Sequence, residues 1–424
     1  MLITYVRVCL LCKKSRIFVS VMMSLKCDML SVLVMLCGCA LLVACTDEFS
    51  LPDDSEGVSH TVIVWMGAEN SLAAYSIGDL QEMHDAVGDI PEDCRVVVYR
   101  DAQFAPSVYL LSHGKYSVWK EYENDEDSAD SAVVVRRMQD LVESFPSKSY
   151  SLVIWSHGTG WSRSPNRSVI VDNGSNVTSP PQANFGTWLD LGQLEGVLSH
   201  LPHLEFLMFD ACFMQTIEVA VQLYPYTDYI IASPAEIPAN GAPYDRIMGS
   251  MCKADVGGIL QGYADAYPDA KGVLLSAVRS SEVPGLCSVT RQVIASQFRR
   301  EEMPDVSSAQ VYAPAYGSGE AGQRMLPVPY DMRSVMHSVM TDGQYVSWVR
   351  QWERAVPYVN RASAWDSQYS SVYFGSRHNH MTDADNYGGI SMYVPSASYD
   401  APGWNREFRS LRCYGMMSWQ QTGW

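Results

Sequence analysis

The sequence predicts an α/β protein with a mostly parallel central sheet, and three observations carry that expectation. Short continuous apolar runs rich in β-branched residues, TVIVWM (61–66), RVVVY (95–99), YSLVIW (150–155) and EFLMF (205–209), read as strands buried on both faces. Between them lie stretches with apolar residues at helical spacing. The alternation of the two is the rhythm of βαβ units, whose crossover helices cover both faces of a parallel sheet.

In chain order, residues 1–45 read as a targeting segment rather than as fold. SVLVMLCGCALLVAC (31–45) is apolar, too short for a comfortable membrane span, and suits a signal-peptide core. Translation starting at Met22 or Met23 would leave Lys26 as its leading charge. Residues 46–60, beginning TDEFSLPDDSEG, are polar and acidic and read as a solvated tether. The segment 71–87 then gives a helix, 95–99 a strand, 107–122 a more polar hairpin, 128–145 a helix closed by Pro146, and 150–155 another strand. A Ser/Asn/Pro/Gly-rich loop (162–186) precedes a helix at 189–201, the strand 205–209, a helix following Cys212, and the strand DYIIAS (228–233). The first half, 61–245, is therefore the regular core. Residues 246–424 are less regular, an α+β extension of the same fold or a small accessory subdomain. There GVLLSAV (272–278) and GGISMYV (388–394) read as strands, and 281–300 and 331–358 as mostly helical.

Composition narrows the function. The 424-residue chain carries a net charge of −17, which argues against a nucleic-acid partner because phosphate binding needs basic patches. Cys94, Cys212, Cys252, Cys287 and Cys413 remain beyond the targeting segment, with no CxxC among them, which argues against a zinc site. Five is odd, so in an oxidising compartment at least one thiol stays unpaired. There is no GxSxG, no HExxH and no phosphate-cradling Gly-rich loop.

Two strands end in short polar signatures. LVIWSHGTGW places His157 and Gly158 just after one strand, and FLMFDACFM places Asp210 and Cys212 after another. Ligand sites in open parallel sheets form outside the carboxyl ends of the strands. Each residue alone has an ordinary explanation: Cys212 as a small hydrophobe, His-Gly as a turn, Asp210 as a helix cap. Together they fit acyl transfer. A helix N-terminus just after Cys212 would lower the thiol pKa, and His157 would exchange protons with it. The N–H groups of Gly158 and Cys212 would face the oxyanion.

WSHGTGW and FDACFMQTIEVA resemble the two catalytic motifs of the clostripain family of cysteine peptidases. TVIVWMGAENSLAAYSIGDLQEM, YIIASPAEIPANGAPYD and GGISMYVP are also similar to family segments, so that the likeness covers about residues 60–400. The 55-residue separation of His157 and Cys212 is similar to that of caspases, where the histidine lies about 50 residues upstream of the cysteine. The resemblance implies a caspase-like three-layer sandwich, His157 and Cys212 as catalytic residues, and Gly158 in the oxyanion site. It further implies Asp210 in a P1 pocket for Arg or Lys of a protein or peptide substrate, and Glu236 is a second carboxylate candidate there. LVAC (42–45) resembles a bacterial lipobox, with Cys45 carrying lipid and anchoring the protein to the membrane on the extracytoplasmic side of the cell envelope. The family's usual Asp-Asn in the first turn is Glu69-Asn70 here, and where some family members cleave themselves at a basic residue the loop offers only Arg163 and Arg167, neither in a recognition context, which argues against self-processing. No cofactor is implied. Calcium serves some family members, but DNGSN (172–176) and HNHMTDAD (378–385) lack calcium-loop spacing, and no metal ligands are assigned. A noncatalytic peptide-binding lipoprotein and a cell-wall peptide amidase with the same dyad are the rival readings.

Overall fold

The computed structural model describes residues 57–162, 169–174, 187–267, 274–312, 327–360, 365–367, 379–381 and 387–424. Residues Ser55–Trp424 cluster as one compact unit. The strands are β1 (His60–Gly67), β2 (Cys94–Asp101), β3 (Ser107–Ser112), β4 (Lys115–Glu121), β5 (Ser149–Trp155), β6 (Ile170–Asp172), β7 (Thr187–Leu189), β8 (Leu204–Asp210), β9 (Thr227–Ala232), β10 (Ser276–Arg279), β11 (Tyr330–Asp331), β12 (Tyr358–Val359), β13 (Trp365–Ser367), β14 (Asn379–Met381) and β15 (Ser391–Met392). Nine form one sheet in the order β12-β10-β9-β8-β5-β1-β2-β3-β4. Its middle five strands, β2, β1, β5, β8 and β9, pair in parallel. Antiparallel pairs close each flank, β3 and β4 on one side, β10 and β12 on the other.

The central strands are apolar throughout because both faces are covered. Alternate residues enter different cores: Ile63, Trp65, Val97, Leu152, Ile154, Leu207 and Phe209 on one face, and Val62, Val64, Met66, Val96, Val153, Phe206 and Met208 on the other. The first face is covered by α2 (Ser131–Ser144), α3 (Leu191–Leu198), α4 (Ile217–Leu223) and α7 (Val283–Gln297), and the second by α1 (Tyr75–Asp85), α5 (Tyr244–Cys252) and α6 (Val256–Ala266). This is the three-layer arrangement expected. Polar caps set the helix starts: the Asp130 carboxylate accepts from the N–H groups of Ala132 and Val133 at α2, and Asp190 with Gln193 forms a reciprocal box at α3.

The second half adds α8 (Met332–Val339), α9 (Asp342–Ala355), α10 (Trp404–Phe408) and α11 (Arg412–Met416). The segment expected as a strand at 272–278 contributes Ser276–Arg279, antiparallel to β9. That expected at 388–394 stays out of the main sheet, and β15 pairs with β11 instead. It nonetheless reaches the central strands' edge, since the Ser391 N–H donates to the Gln215 carbonyl (2.9 Å) and the Tyr393 N–H to the Glu218 carboxylate (2.9 Å).

Gln215 is fully buried, and its Nε2 donates to the carbonyls of Ile230 (3.2 Å) and Ser276 (2.8 Å), stapling β9 and β10 to the turn after β8. Gln215→Ala strands two buried carbonyls. We expect a loss of about 2 kcal/mol, read as a lower denaturant midpoint at unchanged slope.

Candidate active site

Strand register builds the site. β5 and β8 are parallel neighbours with Trp155 opposite Asp210. The residues two places beyond each, His157 and Cys212, therefore leave the sheet at the same edge. Both line one cavity of about 290 Å³, together with Gly158, Asp210 and Glu236. Gly158 lets the two turns close up. A Cβ there would lie 2.5 Å from the Cys212 carbonyl oxygen and 2.9 Å from the Ala211 Cβ. The Cys212 turn is itself strained, with Phe213 at φ +59°, at a cost of order 1 kcal/mol. Hydrogen bonds to the following strand's exit hold it: Phe213 N–H to the Ala235 carbonyl and Gln215 N–H to that of Ser233, both 2.9 Å.

One expectation needs correction. The helix foreseen directly after Cys212 begins at Ile217, and its N-terminus is capped by Thr216, whose hydroxyl accepts from the Val219 N–H (3.1 Å). Four residues separate it from Cys212, and Asp210 caps no helix. The thiol thus gains no lowering from that terminus. Burial pushes it up to about 12, with the charges of Glu236 and Asp210 adding to the rise and the Ile237 N–H, 3.4 Å from Sγ, offsetting part of it. Burial pulls His157 down to about 4. At neutral pH the resting pair is a thiol and an uncharged imidazole. Cys212 is a free thiol, as are Cys94, Cys252, Cys287 and Cys413, all four buried.

Ser71, which sequence reasoning missed, lies 2.9 Å from His157 Nε2 through its hydroxyl. Its only signal in the sequence was its place in the turn after β1. Asp210 is 3% exposed, and its Oδ2 accepts from the Ala242 N–H and the Tyr244 hydroxyl, both at 3.0 Å. Oδ1 is buried with no hydrogen-bond partner. Behind it sits Asp79, also missed, buried and accepting from the Trp155 indole (2.5 Å). Burial, then their mutual proximity, pushes the Asp79 carboxyl up, and burial pushes Asp210 up as well. The C-terminal half closes the cavity with Pro327–Pro329 and Ser391–Tyr393. Cys45, Arg163, Arg167, His378 and the acidic end of HNHMTDAD lie outside the described residues.

The model for the clostripain family, peptidase C11, matches residues 64–424. The chain belongs to the clostripain family of cysteine peptidases. It is 24% identical to clostripain of Hathewaya histolytica over 221 residues, 44% of this chain and 41% of that protein, so the match spans less than half of clostripain. A secreted C11 cysteine protease of Bacteroides thetaiotaomicron, solved with an irreversible peptide inhibitor, superposes with a TM-score of 0.71 at 25% identity, covering 85% of this chain and 99% of that one. An inactive zymogen C11 protease of Parabacteroides distasonis gives 0.69 at 27% identity, covering 85% and 98%.

A raised thiol pKa has a measurable consequence. Iodoacetamide should label Cys212 slowly at neutral pH, with a rate that climbs about tenfold per pH unit through pH 9 and shows no plateau near the ordinary thiol value of about 8.5. Peptide mapping across a pH series reads it. A plateau near 8.5 would remove the neutral resting pair.

Proposed function

We propose that this clostripain-family protein is an endopeptidase that cleaves after Arg or Lys, with His157 and Cys212 as its dyad. The observation that carries the reading is the unpartnered buried Oδ1 of Asp210 on the wall of the cavity that holds the thiol. A guanidinium or ammonium entering there supplies the missing donors through charge-assisted hydrogen bonds. Glu236, half-buried on the same wall, adds negative potential.

The chemistry follows from the resting protonation. Sγ attacks the scissile carbonyl carbon as its proton passes to His157. The N–H groups of Gly158 and Cys212 donate to the oxyanion. His157 then protonates the leaving amine, the C–N bond breaks, and a thioester remains. Water attacks the thioester, gives a proton to His157, and releases the acid as the proton returns to sulfur. Side chains and backbone supply every step, and no cofactor is required.

The lipobox-like LVAC and the secreted C11 relative support an extracytoplasmic enzyme of a bacterial cell envelope, anchored through lipid on Cys45. Among the described residues, no helix is long and apolar enough to cross a membrane.

Cys212→Ala and His157→Ala should each abolish hydrolysis of an Arg-containing peptide reporter while leaving the unfolding midpoint near wild type. Turnover surviving in Cys212→Ala ends the proposal. Asp210→Asn should lower kcat/KM by about 100-fold for basic P1 residues and far less for neutral ones in a peptide library. A uniform loss would make Asp210 a purely structural residue.

The same carboxylate also raises the thiol pKa, so a cation bound beside it should relieve the thiol. Arginine amide should accelerate Cys212 alkylation in the wild type. Asp210→Asn should start faster and show no response. An unchanged wild-type rate breaks the link between pocket charge and thiol.

A further inference from the structure

The thiol cavity has a second buried carboxylate that the proposed P1 pocket does not use. Glu218, in the first turn of α4, lines the cavity with Trp161 and Tyr393 and is 2% exposed. Its Oε1 accepts from the Tyr393 N–H (2.9 Å), and its Oε2 is buried with no hydrogen-bond partner. The described ion pairs bring no basic side chain to it. Burial pushes this carboxyl up to about 7, and the N–H groups of Tyr393 and of Glu218 itself, with the nearby Thr216 hydroxyl, offset part of the rise. Glu218 and Asp210 belong to opposite layers of the fold. Phe206 and Met208 of β8 enter the second core, and Asp210 continues that alternation, accepting from Ala242 and Tyr244 of the same core. Glu218 comes from α4, which covers the first face, and Trp161 and Tyr393 lie in the first core. Gly160, at φ +78°, lets the Trp161 turn close in: a Cβ there would stand 3.1 Å from the Phe213 carbonyl oxygen and 3.4 Å from Thr216 Cγ2. The Trp161 ring meets Tyr393 edge to face, with centroids 5.0 Å apart.

We propose that Glu218, with Trp161 and Tyr393, forms a second basic subsite, so that the preferred substrate carries two adjacent Arg or Lys residues, one for each wall of the cavity. The pairing rests on the reading that a basic P1 side chain enters at Asp210. In an extended peptide successive side chains point to opposite sides. A P1 residue directed at Asp210, on the second-face wall, therefore sends its P2 and P1′ neighbours toward the first-face wall, where Glu218 stands. The lining there suits a long cationic side chain. Aromatic rings take its aliphatic stem or guanidinium plane, and the unpartnered oxygen takes an N–H in a charge-assisted hydrogen bond. An apolar neighbour leaves Oε2 desolvated without a donor, and an acidic one adds a like charge. A bound cation also holds Glu218 ionised against the effect of burial.

The test compares three internally quenched peptides on the wild-type protein: one with a single Arg among alanines, one with Arg-Arg, and one with the second Arg placed several residues away. The Arg-Arg peptide should exceed both others in kcat/KM by about tenfold. Mass spectrometry of the products separates the two placements of the second side chain, since cleavage after the second Arg puts it at P2 and cleavage between the two puts it at P1′. In Glu218→Gln, which keeps an acceptor for the Tyr393 N–H, the ratio of Arg-Arg to single-Arg turnover should fall to about one, with the unfolding midpoint as the check on folding. In Glu236→Gln, on the same cavity wall as Asp210, the ratio should persist. Equal gains from the adjacent and the distant Arg would trace the effect to the chain's overall charge of −17 and overturn the subsite. A ratio that survives in Glu218→Gln, or is lost in Glu236→Gln alone, would overturn it as well. Hydrolysis of the single-Arg peptide with no gain from the second Arg overturns the second subsite alone, whereas no hydrolysis of any of the three overturns it together with the basic P1 reading.

Discussion

In a parallel sheet whose central strands begin and end in step, every strand delivers its exit loop to one edge. Here Gly67 lies opposite Asp101, Met66 opposite Trp155, and Trp155 opposite Asp210, so four strands terminate level with one another. Both faces of those strands are covered by helices, which forces their residues to be apolar and leaves polar chemistry to the loops. Ser71, Glu69, Asp101, His157, Asp210 and Cys212 come from widely separated parts of the chain and share that single edge because the hydrogen-bond register puts them there. The C-terminal half is then drawn in by the same turn that holds the thiol, through Ser391 on Gln215 and Tyr393 on Glu218, and it completes the cavity wall.

The edge is markedly acidic. Asp79 and Asp210 form one buried pair below the cavity, and Glu69, Asp101 and Asp172 form another cluster beyond it. Neither group has a buried basic residue to balance it among the described ion pairs, which bring Arg136 and Arg137 to Glu126, Arg300 to Asp400, Arg354 to Glu282 and Arg412 to Glu195. Unbalanced buried carboxylates destabilise the fold, and their persistence is explained when something else completes them. Under the proposed specificity, a basic side chain of a substrate does so at Asp210.

The strands and the shared edge of His157 and Cys212 were legible because each is written locally. TVIVWM, YSLVIW and EFLMF announce buried strands, and the polar residues just after the last two, His157 and Cys212, fall at one edge by the geometry of parallel sheets alone. Asp210 and Glu236 sit close enough in sequence to Cys212 or its neighbouring strand to be drawn in with it. Ser71, Asp79 and the Glu69–Asp101–Asp172 cluster were not legible, since no spacing links residues brought together only by strand order. A carboxylate at or just past the end of a buried strand was the available signal, and Glu69 and Asp101 both carry it. The helix start after Cys212 was misplaced because QTIEVA reads as helical by periodicity, while the hydrogen bonds from Phe213 and Gln215 to the β9 exit hold the intervening residues in a turn outside the helix. Tertiary pairing overrode local propensity there.

That displacement changes the resting state of Cys212. A thiol at a helix N-terminus would rest as a thiolate and react with any electrophile that reached it. This one rests protonated, its pKa held high by burial and then by two carboxylates, beside an imidazole that burial leaves uncharged at neutral pH. Under the proposed specificity, a basic P1 side chain cancels the Asp210 charge at the moment the scissile carbonyl arrives, so the carboxylate that selects the substrate stops opposing the thiol only when the correct substrate is bound. Neutral side chains leave that opposition in place. Discrimination then enters the chemical step as well as binding, because the same ion pair lowers the free energy of the developing thiolate and fills the pocket.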